Sequence, residues 1–188
     1  MNGSKTKQLT SCALFAALIF GATLTGAMAP IGGGAYIHIG DAMIYLAVLL
    51  LPAPYAVASA AVGAALADFT LGSTIYIIPT IIVKSLVVLA AKGLMRLTEK
   101  PVMQDILICL SGIVTVAGYY AAEIVLLVIS GSSFSAALSS AAVSSIMFNA
   151  IQAGASAVIF LIVGGAVRKI INKRRLAGSA DNGEDSDK

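Results

Sequence analysis

Four ionisable side chains stand inside otherwise apolar segments: Asp41, Asp68, Lys84 and Glu123. Near them come Tyr36 and His38 in "YIHIGD", Tyr119 and Tyr120 one helical turn before Glu123, and Asn149 with Gln152 at i, i+3 spacing. Carboxylates, an amine, amides and phenols of this kind can do two things. They can surround and hydrogen-bond a small polar ligand, or two aspartates brought together can run acid–base hydrolysis. Either use needs a strong reason, because a charged side chain at the centre of a membrane helix is disfavoured by ~2.5–3.5 kcal/mol.

The elements that must position these residues are membrane helices. Of 188 residues, 59% are hydrophobic and only 11% are charged, with a mean hydropathy of +0.95. A soluble domain carries about 25% charged residues. The net charge of +3 is small and its Lys and Arg are clustered, which leaves no nucleic-acid surface. Cys12 and Cys109 fall in apolar runs without metal or redox spacing, and no G-x-x-x-x-G-K-[ST] phosphate loop occurs. No metal, cofactor or nucleotide hydrolysis is expected of this chain.

Apolar segments at about 9–27, 41–52, 54–69, 77–95, 105–130 and 136–167 predict an all-α bundle of six transmembrane helices. Pro52 and Pro54 break the second from the third, both short, into a tight hairpin rather than one kinked span. Ala27 and Ala29 form an A-x-A pattern, but the run before them is about 19 residues, longer than the ~7–15 of a signal peptide, so it reads as a retained helix. Residues 1–175 make one transmembrane domain, and 176–188 read as a disordered, acidic, cytoplasmic tail.

Basic residues then orient the bundle. Lys5, Lys7, Lys92, Arg96, Lys100 and the group from Arg168 to Arg175 flank one side, while the connections at 28–40, 70–76 and 131–135 hold no Lys or Arg. By the positive-inside rule this is a multi-pass protein of the cell membrane with both termini cytoplasmic. At 1.5 Å per residue, Asp41, Asp68, Lys84 and Glu123 all fall in the outer half, with Asn149 and Gln152 near mid-membrane. One reading is structural: Lys84 pairs with Asp68 or Glu123 to lock helices, and the amides cross-link spans. That leaves further acids, amides and tyrosines at the same level without a role. An outward-opening pocket, with the glycine-rich "PIGGGAYIHIGD" as its wall or lid, uses them together. Three acids against one lysine call for a neutral or cationic ligand.

Small residues recur every four positions on two spans. Ala13, Ala17 and Gly21 do so on the first, and Ser59, Gly63 and Ala67 on the third. Such stripes let helix backbones approach closely, within the chain or against a second membrane protein.

With "YIHIGDAMIYLAVLLL", "GAALADFTLGSTIYIIPTIIVKSL", the Ala-x-x-x-Ala first helix and the Asn-x-x-Gln of the last span, residues 8–172 resemble the S components of energy-coupling factor (ECF) transporters, of riboflavin or hydroxymethylpyrimidine type. The resemblance implies capture of a vitamin or vitamin precursor such as hydroxymethylpyrimidine, pyridoxine or riboflavin from outside. It implies partnership with a transmembrane T subunit and two ATPases, with Ala13, Ala17 and Gly21 facing the T subunit. Tyr36, His38, Asp41, Asp68, Lys84, Tyr120, Glu123, Asn149 and Gln152 become candidate substrate-binding residues. The alternatives are an intramembrane aspartyl-type hydrolase using Asp41 and Asp68, or a non-transporting scaffold. Against the first, "HIGD" has His38 where the G-x-G-D of membrane aspartyl proteases has Gly.

Overall fold

In hydrocarbon, only a ladder closed within the segment satisfies every backbone N–H and C=O, so long apolar runs with few breakers fold as helices. A computed structural model describes residues 3–27, 30–31, 35–36 and 39–184, and the side chains of 4–26 and 39–173. The elements are α1 (Gly3–Ala27), a minimal antiparallel pair β1 (Pro30–Ile31) and β2 (Ala35–Tyr36), α2 (Gly40–Leu50), α3 (Ala53–Thr70), α4 (Ile77–Met95), α5 (Pro101–Leu110), α6 (Gly112–Ile129), α7 (Phe134–Ala141) and α8 (Met147–Glu184). A 3-10 turn over Thr74–Tyr76 leads into α4, and a π-helical turn over Ala142–Ile146 joins α7 to α8. Backbone helix in α8 thus continues past the expected boundary at 175. Ser4–Gly26, Thr74–Met95, Pro101–Ile129 and Phe134–Lys173 are long and apolar enough to cross a membrane, and α2 is apolar but shorter.

Prolines set two of the breaks. Leu51 and Pro52 are both extended and cap α2 and α3 on either side, while Pro101 opens α5, where its missing N–H would have no partner anyway. Asp41 at the start of α2 bonds Lys84, and Asp68 near the end of α3 neighbours the same lysine. A single continuous helix would hold these aspartates ~40 Å apart. The chain therefore doubles back at Pro52, and the start of α2 and the end of α3 share one end of the bundle.

The core lies where α1 to α6 and α8 meet, with Ile19, Val48, Val87, Val88 and Ile108 buried and Tyr45 set edge-on to Phe160 at 5.7 Å. Large apolar residues such as Leu14, Ile82, Val125 and Ile162 stay exposed, as lipid-facing positions do. The small-residue stripe of α3 is consumed internally. Ser59, Ala60, Ala64 and Ala67 are buried, and a Cβ on Gly63 would stand 2.6 Å from the Ala16 carbonyl oxygen of α1. By contrast Ala13 and Ala17 are exposed, and open space surrounds the position of a Cβ on Gly21.

At the end of the bundle away from these aspartates, Arg168 of α8 holds Asp105 of α5 at 2.8 Å and donates to Gln104 at 3.2 Å. Lys92 donates to the carbonyl of Leu51 at 2.6 Å, tying α4 to the α2–α3 turn. At the opposite end, β1 and β2 pair Pro30 with Tyr36 and Ile31 with Ala35. Within the expected lid, His38 and the three glycines at 32–34 lie outside the described residues.

Candidate functional site

The same end of the bundle gathers residues from four helices and two irregular turns around a cavity of about 380 Å³. Asp68 comes from the last turns of α3, Ser73 and Tyr76 from the connection to α4, and Thr80 from the first turns of α4. Tyr119 and Glu123 come from α6, Ser144 and Ser145 from the π-helical turn, and Phe148, Asn149 and Gln152 from the start of α8. Helical spacing explains these sets. Ser145 with Asn149 and Phe148 with Gln152 stand at i, i+4, one above the other on a face. The π-helical turn carries Ser145 to the cavity, where Asn149 Nδ2 donates to the Ser145 carbonyl at 2.7 Å and to its hydroxyl at 3.0 Å.

Behind the wall lies a sealed polar layer. Lys84 Nζ sits 2.6 Å from Asp41 Oδ1, with the two residues only 4% and 2% exposed. Gln152 Nε2 donates to Asp41 Oδ2 at 2.9 Å, so both oxygens of Asp41 are engaged. The Lys84 ammonium also lies 5.1 Å from the centre of the Tyr119 ring, within the range of a cation–π contact. On the cavity side, Tyr76 donates to Glu123 Oε2 at 2.6 Å, and the Thr80 and Tyr119 hydroxyls share a hydrogen bond of 2.9 Å. Asp68 is 9% exposed, and its Oδ2 has no hydrogen-bond partner among the described residues.

Of the residues expected at a pocket, Asp68, Glu123, Asn149 and Gln152 line this cavity. Asp41 and Lys84 stand one layer behind it. In place of the Asp68 or Glu123 partner offered by the helix-locking reading, Lys84 pairs with Asp41, because the α2–α3 hairpin brings the first turn of α2 against the third turn of α4. Tyr120 does not line this cavity. It lines a separate apolar groove with Ile113, Val116, Ala117 and Ile146, and its hydroxyl reaches the Leu138 carbonyl at 3.5 Å. Its neighbour Tyr119 takes the cavity position, one of two choices that a helix rotates by ~100°. Tyr36 is described in its backbone alone, and His38 lies outside the described residues. Ser73, Thr80, Ser144, Ser145 and Phe148 were not anticipated, although Thr80 stands at i−4 from Lys84 and Ser145 at i−4 from Asn149. The two aspartates of the hydrolase alternative do not pair, since Asp41 is committed to Lys84 and Gln152.

An apolar helical bundle enclosing a polar, aromatic-edged cavity is the build of a membrane-embedded binding protein. The profile of the family described as ECF-type riboflavin transporter, S component, matches residues 3–169. The chain belongs to that family, whose members are substrate-binding subunits of transporters rather than enzymes. Its fold is similar to a solved structure described as "Structure and mechanism of the S component of a bacterial ECF transporter", with a TM-score of 0.60 at 16% identity, covering 89% of this chain and 98% of that one. Among curated proteins, no significant match is found.

Proposed function

We propose that this protein captures a vitamin or vitamin precursor from outside the cell in the cavity between α3, α4, α6 and α8, and delivers it through an ECF module. The chain crosses the cell membrane six times, as α1, α2, α3, α4, α5–α6 and α7–α8, with both termini cytoplasmic. One observation carries the orientation and the site together. The cavity lies at the bundle end whose connections hold no Lys or Arg, while Lys92, Arg96, Lys100 and Arg168 mark the other end. An outward-facing site on a chain with no nucleotide-binding loop needs energy from partners. In this reading these are a transmembrane T subunit and two ATPases, and Ala13, Ala17 and Gly21 on the open face of α1 admit the T subunit at close backbone range.

Proteoliposomes test this reading. The protein alone should bind the compound without concentrating it, and addition of the T subunit, the ATPases and ATP should produce accumulation. Replacing Ala13 or Ala17 with Trp should abolish accumulation while leaving binding intact. Accumulation by the protein alone under an ion gradient would overturn the mechanism, and normal transport by the Trp variants would overturn the docking face.

A further inference from the structure

We infer that the ligand carries a positive charge and that the Asp68 carboxylate is the group that meets it; the inference rests on the cavity being the substrate site. Three acids and one lysine stand at this level of the bundle, and the structure divides them. Lys84 is matched to Asp41 and sealed behind the wall, where neither lines the cavity. Asp68 and Glu123 do line it, and no Lys or Arg does among the described residues. Glu123 keeps a hydroxyl donor from Tyr76. Asp68 is more than nine-tenths buried, has the Thr80 hydroxyl as a side-chain neighbour and feels the Lys84 charge behind the wall, yet leaves Oδ2 without a hydrogen-bond partner among the described residues.

A buried carboxylate oxygen without a donor is unfavourable unless something supplies the missing hydrogen bond or charge. A ligand ammonium, amidinium or cationic ring nitrogen supplies both. Tyr76, Tyr119 and Phe148 add ring faces, which attract a cation and flank a planar ring. Hydroxyls on the ligand find Asn149, Gln152, Ser73 and Ser144. The volume sits near the low end of the ~300–1,000 Å³ of small-molecule sites, which favours a compact ring compound. Phosphorylated or carboxylated forms meet repulsion from Asp68 and Glu123.

The test uses the full-length protein purified in mild detergent. Native mass spectrometry identifies the compound that it releases, and thermal shift compares pyridoxamine with pyridoxine, which differ by an amine in place of a hydroxyl, beside thiamine and riboflavin. The expected result is a released compound with a cationic nitrogen, or a larger shift for the amine and thiamine than for their neutral counterparts. Asp68→Asn should weaken binding of that compound by about ten- to a hundredfold, as removal of a charge-assisted hydrogen bond does. The ligand-free variant should melt within a few degrees of wild type, because the amide removes a buried carboxylate oxygen that lacks a donor while keeping an acceptor for Thr80. Should Asp68→Asn fail to fold, Asp68→Ser, which also removes the charge and keeps a polar group beside Thr80, gives the same comparison. A neutral or anionic ligand, or unchanged affinity in the variants, overturns the charge assignment and leaves the transporter reading standing. No released compound and no shift with any probe overturns both.

Discussion

Replacing Lys84 with Met separates the sealed layer from the cavity. Lys84 and Asp41 are 2.6 Å apart and almost wholly buried, and Gln152 is the other donor to Asp41. Methionine leaves the Asp41 carboxylate inside the bundle with one neutral hydrogen bond and no cation. Breaking a buried ion pair from one side is destabilising by ~3–5 kcal/mol. For a chain of this size that corresponds to a fall of roughly 6–20 °C in melting temperature. The double change Lys84→Met with Asp41→Asn removes both charges and keeps an acceptor for Gln152, so it should regain most of the loss. Thermal unfolding of wild type, both single variants and the double variant in the same detergent measures the coupling directly. A single variant melting within a degree or two of wild type, or a double variant as unstable as the two singles added together, would refute the buried-pair assignment.

Glu123→Gln should shift melting little, by about 1 kcal/mol or less, because Tyr76 keeps an acceptor; a large loss of stability would show that Glu123 holds helices together. Gly63→Val should unfold the α1–α3 contact, since even a Cβ would stand 2.6 Å from the Ala16 carbonyl oxygen, whereas Ala17→Trp on the exposed face of the same α1 should fold normally; thermal melts of both variants distinguish the two small-residue stripes. Arg168→Ala should lower stability by about 1–3 kcal/mol, because it strips Asp105 of its partner, yet leave ligand affinity unchanged at the far end of the bundle. Isothermal titration checks the second half of that statement, and a change in affinity would reveal coupling between the two ends.

Much of the framework was legible because bilayer physics leaves few options. Span α4 is expected and found over 77–95, and Pro52 separates α2 from α3 as its missing N–H requires. The last apolar segment was legible in extent but not in geometry: no residue type marks the π-helical turn at Ala142–Ile146, and that turn brings Ser144 and Ser145 to the cavity. Polar residues in apolar helices announced the level of the cavity, since their burial is costly wherever it occurs. Which acid would meet Lys84 depended on a contact 43 residues away along the chain. Periodicity could not choose among Asp41, Asp68 and Glu123, because all three lie at one depth on different helices. Tyr119 and Tyr120 pose the same problem within a helix, where rotation about the axis decides and only packing against α4 fixes it.

The most direct test of an outward-opening substrate cavity is labelling of Ser73→Cys in intact cells, in a background with Cys12 and Cys109 replaced by Ala. Ser73 lines the cavity from the α3–α4 connection. A membrane-impermeant maleimide should modify it without permeabilisation, and the compound that co-purifies with the protein should slow the reaction. Labelling only after permeabilisation, or labelling at the same rate with and without that compound, would contradict the proposal.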